Sequence, residues 1–220
     1  MRFLCVFLFL FLSVPGQAHE VSGTVEVLLK GEKRKTDLSS VIIYLDPVSQ
    51  SNIPDEALKR SFKMSTKNKQ FSPRALAIPV GAKVEFPNFD SIFHNIFSVS
   101  SPNQFDLGLY KGGASKTQSF QQPGVVKVFC NVHPQMSATI VVSASPYYTV
   151  ANKTGAFMLG KIPNGSFQLR AYAEEGQTVK KIDVGDKPLE VQLTIDGRGF
   201  KKLRHKNKFG KDYSSEDERY

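Results

Sequence analysis

From Val21 to Ile195, apolar residues recur at every second position in short runs that stop at glycine, proline or asparagine. Val21, Val25, Val27 and Leu29 alternate with more polar neighbours. Val41-Ile42-Ile43-Tyr44-Leu45 is a β-branched run closed by Asp46-Pro47. Leu76, Ile78 and Val80 lead to Gly81, and Ala82, Val84 and Phe86 resume the alternation before Pro87-Asn88. Ile92 to Val99, Val125 to Cys130 after the Pro123-Gly124 turn, and Ala138 to Val142 complete the series. A period of two puts alternate side chains on one face of a pleated strand. Short strands spaced this way bury their apolar faces by closing into a sandwich or barrel. The fold class is therefore all-β. Residues 48–70 break the pattern: they are polar and irregular, with a single helical turn expected at Pro54 to Lys59.

A second series begins near Pro146. Tyr148 and Val150 precede the turn Asn152-Lys153-Thr154-Gly155, and Phe157-Met158-Leu159 precede Pro163-Asn164-Gly165. Phe167, Leu169 and Ala171, then Ile182 and Val184, then Leu189, Val191, Leu193 and Ile195 follow. This is small for an independent domain. Two arrangements are open: it packs on the first part, or it completes a sheet with the early strands 21–45. The chain of 220 residues divides into a leader (1–18), a first β domain (19–143, core 71–143), a small β module (144–197) and a tail (198–220).

The leader has Arg2 as its basic start, an apolar run from Phe3 to Val14, and Pro15-Gly16-Gln17-Ala18 at its end. It reads as a signal peptide, too short in its apolar core to span a bilayer. The expected mature protein is exported, soluble and periplasmic, and starts at His19. Of the two cysteines, Cys5 leaves with the leader. Cys130 then stands without a disulfide partner in an oxidising compartment, where an unpaired thiol is a liability unless buried or metal-bound. The formal charge is +9, much of it from Lys201, Lys202, Arg204, Lys206, Lys208 and Lys211. The end, Ser214 to Tyr220, swings acidic. Such a tail is expected to be disordered and dispensable for metal binding, with an acidic protein or anionic membrane surface as its possible contact. Export argues against nucleic acid.

The neighbours of Cys130 carry the chemistry. In Cys130-Asn131-Val132-His133-Pro134-Gln135-Met136 a thiol, an imidazole and a thioether recur at every third position, and His94 lies on an earlier strand. Two imidazoles and a thiolate make a trigonal set, and a weak axial thioether completes an electron-transfer copper site. The expectation is one copper ion on His94, Cys130, His133 and Met136. Zinc is the rival metal, since Asp90 near His94 supplies a harder donor, but Met is a poor zinc ligand. Haem attachment would need Cys-x-x-Cys-His, which is absent from the sequence.

These residues resemble the cupredoxin, or type 1 blue copper, family, and the short ligand loop is most similar to that of amicyanin. The likeness is best from Phe71 to Val142, with Pro79-Val80-Gly81, Asn88, His94-Asn95 and the Cys130 loop in order. It implies a Greek-key β-sandwich. It also implies that Asn95 ties the two ligand loops together and that Pro134 sits beside the exposed histidine edge. The wider layout resembles bacterial exported proteins labelled methylamine utilization proteins, in which a cupredoxin core accompanies sequence like a carboxypeptidase regulatory domain. Phe105-Asp106-Leu107-Gly108-Leu109-Tyr110 and Thr149 to Arg170 carry that part. Residues 48–70 exceed what a compact cupredoxin needs and read as an insertion. His19, as a mature N-terminus, would offer copper an amine and an imidazole, but such a second site needs another facing histidine.

The expected function is single-electron transfer with a periplasmic redox partner, without enzymatic activity. The sequence lacks Gly-x-Ser-x-Gly and His-Glu-x-x-His. A copper-binding or copper-delivery module, and a structural envelope protein with a vestigial site, are the alternatives.

Overall fold

A computed structural model describes residues 19–32, 34–47, 60–202 and 205–213. The leader 1–18, the helical turn at Pro54 to Lys59 and the first part of the expected insertion lie outside the described residues. The described residues contain strands and one short 3-10 turn and are all-β. The strands are β1 (His19–Leu28), β2 (Ile42–Pro47), β3 (Phe62–Lys63), β4 (Ser65–Lys67), β5 (Gln70–Ser72) and β6 (Ala75–Pro79). Then come β7 (Lys83–Pro87), β8 (His94–Ser98), β9 (Phe105–Tyr110), β10 (Ser115–Ser119), β11 (Gly124–Cys130) and β12 (Ser137–Ser143). The last are β13 (Tyr148–Val150), β14 (Ala156–Ile162), β15 (Gly165–Ala173), β16 (Gly176–Val184) and β17 (Leu189–Asp196).

Strands β3 to β12 form a sandwich. One sheet has the order β6-β12-β11-β8-β9 and the other β10-β7-β3, with the β4–β5 hairpin beside them. Pairing of β6 with β12 in parallel, and of β8 with β11, makes the chain cross between sheets in Greek-key fashion. Alternation decides what each strand buries. Ile78, Val84, Phe86, Ile96, Phe120, Val126, Val128 and Ile140 meet between the sheets, with Cys130 and Met136 at one end of the same cluster.

The remaining strands make a second sandwich, and the early strands belong to it. β1 pairs with β14 antiparallel and β17 in parallel. β2 lies between β13 and β15. Of the two arrangements left open, the C-terminal strands complete sheets with the early ones, so β1 and β2 share a core with 144–196 rather than belonging with 71–143. Val25, Val27, Ile43, Leu45, Phe157, Leu169, Leu193 and Ile195 fill that core. The physical reason is that a hydrophobic sheet face needs a second sheet, and the C-terminal strands alone supply too few.

The two sandwiches pack face to face. Ile42 and Tyr44 point away from their own core and meet Ala75, Ala77 and Val141 on the outer face of the five-stranded sheet. The unbroken apolar run Val41 to Leu45 follows from burial of β2 on both faces. The other end of that outer face carries Phe97 and Phe129, which alternate with inward Ile96 and Cys130. It is covered by the segment His205–Tyr213, whose His205 ring stacks on Phe129 at 4.2 Å between centroids. The expectation of a disordered tail is corrected for this segment: outward aromatics of a sheet need a cover, and its His and Tyr supply one. Residues 203–204 and 214–220 lie outside the described residues. No helix among the described residues is long and apolar enough to cross a membrane.

Gly23 shows how close the β1–β17 approach is. A Cβ there would stand 1.8 Å from the Val191 carbonyl oxygen. Gly23→Ala should therefore destabilise the protein by about 1–3 kcal/mol through forced separation of the strands. Chemical denaturation measures it, and an unchanged midpoint would contradict this packing.

Candidate metal centre

Two chain segments build the site. β8 begins at His94, β11 ends at Cys130, and the loop to β12 carries His133 and Met136. The two segments are joined directly. The Asn131 amide donates to the Asn95 carbonyl at 2.8 Å, and β8 pairs with β11 at Cys130 and Ile96. The loop closes on itself as a tight turn: the Met136 amide donates to the His133 carbonyl at 3.0 Å, and the Cys130 amide to the Met136 carbonyl at 3.3 Å.

The result is a compact donor set. His94 Nδ1 lies 3.5 Å from Cys130 Sγ, His133 Nδ1 lies 3.6 Å from the same sulfur, and the two Nδ1 atoms are 3.1 Å apart. All three residues are buried, and their donor atoms lie within 4.8 Å of one another. Met136 is also buried, against the same core. Pro134 is half-buried on the loop. His94, Cys130 and His133 thus converge at one point, and Met136 is buried further along the loop that carries His133.

The electrostatics favour metal over proton. Burial first, and then the neighbouring His94 and Lys69, pushes the His133 pKa down to about 4. Burial also lowers His94, against the opposing pull of Asp90. Both imidazoles therefore keep lone pairs near neutrality. Burial raises the Cys130 thiol, although backbone amides of Asn95, Val132 and His133 favour the thiolate. A metal ion bound here would replace that proton, and His94, His133 and Cys130 would offer it two neutral imidazoles and a thiolate.

Asp90 has a different role from the one weighed in the sequence. Rather than standing in for His94, it holds that residue from behind: its Oδ2 accepts from His94 Nε2 at 2.8 Å. That bond fixes the tautomer and leaves Nδ1 facing the sulfur. Asp90 is itself held. The amides of Asn68 and Lys69 donate to its two oxygens at 2.5 and 3.1 Å. Both residues have positive φ, in the two-residue turn of the β4–β5 hairpin. Burial alone would raise the Asp90 pKa, but the His94 bond and these amides leave it lowered. The buried Asn88 shapes the turn ahead of His94: its Oδ1 accepts from the Thr66 hydroxyl and the Asp90 amide, and its Nδ2 donates to the Ile92 carbonyl. The first strand and the turn of the hairpin fall in 48–70, so part of the supposed insertion serves the site. Its only sequence signal was the turn-prone Asn68 between two short runs.

Asn95 ties the ligand loops through its backbone. Its buried side chain extends the link, with Nδ2 donating to Asp106 Oδ1 at 2.6 Å. His19 opens β1 with its Nε2 3.9 Å from Asp186 Oδ1. Among the described residues no second group of metal donors forms, so the facing histidine that a second copper site needs is not present there.

No family model matches the chain, and no curated protein matches it. Solved structures do. A copper-containing nitrite reductase from Thermus scotoductus is 28% identical over 38% of this chain, with a TM-score of 0.36. This chain spans only 22% of that enzyme's length. A purple cupredoxin from Nitrosopumilus maritimus is 28% identical over 38% of this chain and 100% of its own, with a TM-score of 0.34. A reduced amicyanin variant is 19% identical over 46% of this chain and 99% of its own, with a TM-score of 0.36. Over part of its length, the chain is similar to cupredoxins.

Asp90→Ala should loosen His94 and lower metal affinity about 10–100-fold. Competition titration with a chelator of known affinity measures this, and unchanged affinity would show that Asp90 plays no part in holding the ligand.

Proposed function

We propose that this protein is an exported type 1 copper protein that passes single electrons to and from a partner protein and carries out no substrate chemistry. One observation supports this above the others: two imidazole nitrogens and one thiol sulfur converge, buried and with both imidazole pKa values lowered by that burial, at the junction of two hydrogen-bonded loops. One sulfur and two imidazoles suit copper in both oxidation states, where a zinc site would call for a fourth hard donor. Asp90, the nearest carboxylate in sequence, is engaged by His94 Nε2 on the far side of that ring.

Copper bound there would supply reversible one-electron chemistry. His94, Cys130 and His133 are its proposed strong ligands and Met136 its weak axial one. The chain's own contribution is rigidity. His94 is oriented by Asp90, His133 is set by a tight turn, and the sulfur is fixed at a strand end with amides around it. Burial excludes water from all of them. A ligand set that cannot rearrange lets an electron arrive or leave with little reorganisation. Periplasmic localisation belongs to the same proposal, resting on the leader pattern of residues 1–18. The partner is a redox protein of that compartment.

Met136→Leu should keep the metal bound and the protein coloured while raising its reduction potential, because a weak axial sulfur tunes the ion rather than holding it. Cys130→Ser should abolish the thiolate-to-copper colour. Spectroelectrochemical titration reads both. Loss of metal on Met136→Leu, or colour surviving Cys130→Ser, would contradict these roles.

A further inference from the structure

The C-terminal segment reaches the ligand loop and the strands around it. The Tyr213 hydroxyl donates to the carbonyl of Cys130 at 3.1 Å. The Lys208 amide donates to Asn131 Oδ1 at 2.9 Å. Lys208 Nζ pairs with Asp106 Oδ2 at 2.6 Å, and Asp106 in turn accepts from Asn95, the residue after His94. His205 lies stacked on Phe129, with the Tyr213 ring edge-on to it at 5.3 Å.

The segment is a built piece of structure. Asn207 Oδ1 accepts from the amides of Phe209 and Lys211, both at 3.0 Å. The Asn207 amide donates to the Lys211 carbonyl at 2.8 Å, and Gly210 takes the positive φ that closes the turn. A chain folded back in this way presents His205 and Tyr213 together on one side, while Lys206, Phe209 and Lys211 stay exposed.

We propose that His205–Tyr213 is a strap that locks the Cys130–Met136 loop shut and so slows release of the bound metal. For a metal ion to leave, His133 and Cys130 must separate, and the loop between them must open. The strap holds that loop at Cys130, a ligand, and at Asn131, the residue after it. It also anchors the His94 segment through Asp106 and Asn95. Opening the loop therefore requires the strap to lift or its bonds to break. Tyr213 and His205 are positioning residues: they act through the loop and carry no ligand atom. The inference rests on the copper reading for its consequence but not for its mechanism, since the lock on the loop exists in the metal-free protein too.

The experiment uses the full-length mature chain and two readouts. Copper(I)-loaded protein is mixed with excess bathocuproine disulfonate and the rate of transfer is followed by absorbance. In parallel, amide hydrogen exchange is followed in the metal-free protein at Asn131 and Met136, whose amides are bonded within and beneath the loop. Tyr213→Phe removes one hydroxyl and keeps the ring, and should speed both about fivefold, the worth of one net hydrogen bond. His205→Ala should speed them further, and His205→Phe, which keeps the stack on Phe129, should restore much of the loss. Exchange in β12 should stay unchanged throughout. Wild-type rates in Tyr213→Phe and His205→Ala would overturn the inference, as would faster exchange spread evenly over the whole chain. If the protein takes up no copper, the copper reading falls and amide exchange alone decides the strap.

Discussion

Two imidazole nitrogens held 3.1 Å apart beside a buried sulfur define this structure, because nothing in an ordinary protein interior favours that arrangement. Without a metal they can share at most one proton across that distance, burial works against charging either ring, and both rings are buried. The surroundings must therefore hold the donors in place. Asp90 holds one ring, the Asn95–Asn131 backbone bond holds the two loops together, and the five-stranded sheet fixes the sulfur at the end of β11. Such preorganisation suits an ion that changes charge without changing its ligands.

Much of the donor set was legible from spacing. Cys130, His133 and Met136 sit at one turn's separation in one loop, and a lone cysteine in a β-rich chain with a leader-like start leaves few uses for a thiol. The alternation of Leu76 to Phe86 and of Val125 to Cys130 likewise predicted strands that the structure contains. What the sequence could not show was the support behind the ligands. Asp90 reads as another donor until the geometry places it on the far nitrogen of His94. Asn68 and Lys69 read as loop residues until their amides are seen on Asp90. These roles depend on contacts between segments some twenty residues apart, which local pattern does not encode.

The domain boundary and the tail were misread for related reasons. Strand patterning gives the existence of β1 and β2 and left their pairing with the C-terminal strands as one of two options, and the double-sided burial of Val41 to Leu45 was hidden in a run that fits any buried strand. In the tail, charge density outweighed the few residues that pack. Six Lys or Arg between 201 and 211 made the segment look solvated, yet His205 and Tyr213 suffice to cover Phe129 and reach the Cys130 carbonyl. The signal lay elsewhere: Phe97 and Phe129 sit at outward positions of their strands, and an aromatic on an outer sheet face asks for a cover.

The most direct test of the account is titration of the purified protein with copper(II), followed by visible absorption. A thiolate and two imidazoles held as described predict an intense thiolate-to-copper band that saturates at one ion per chain. A colourless complex, or uptake of copper with no band that depends on Cys130, would contradict the central claim that these residues form a type 1 copper centre.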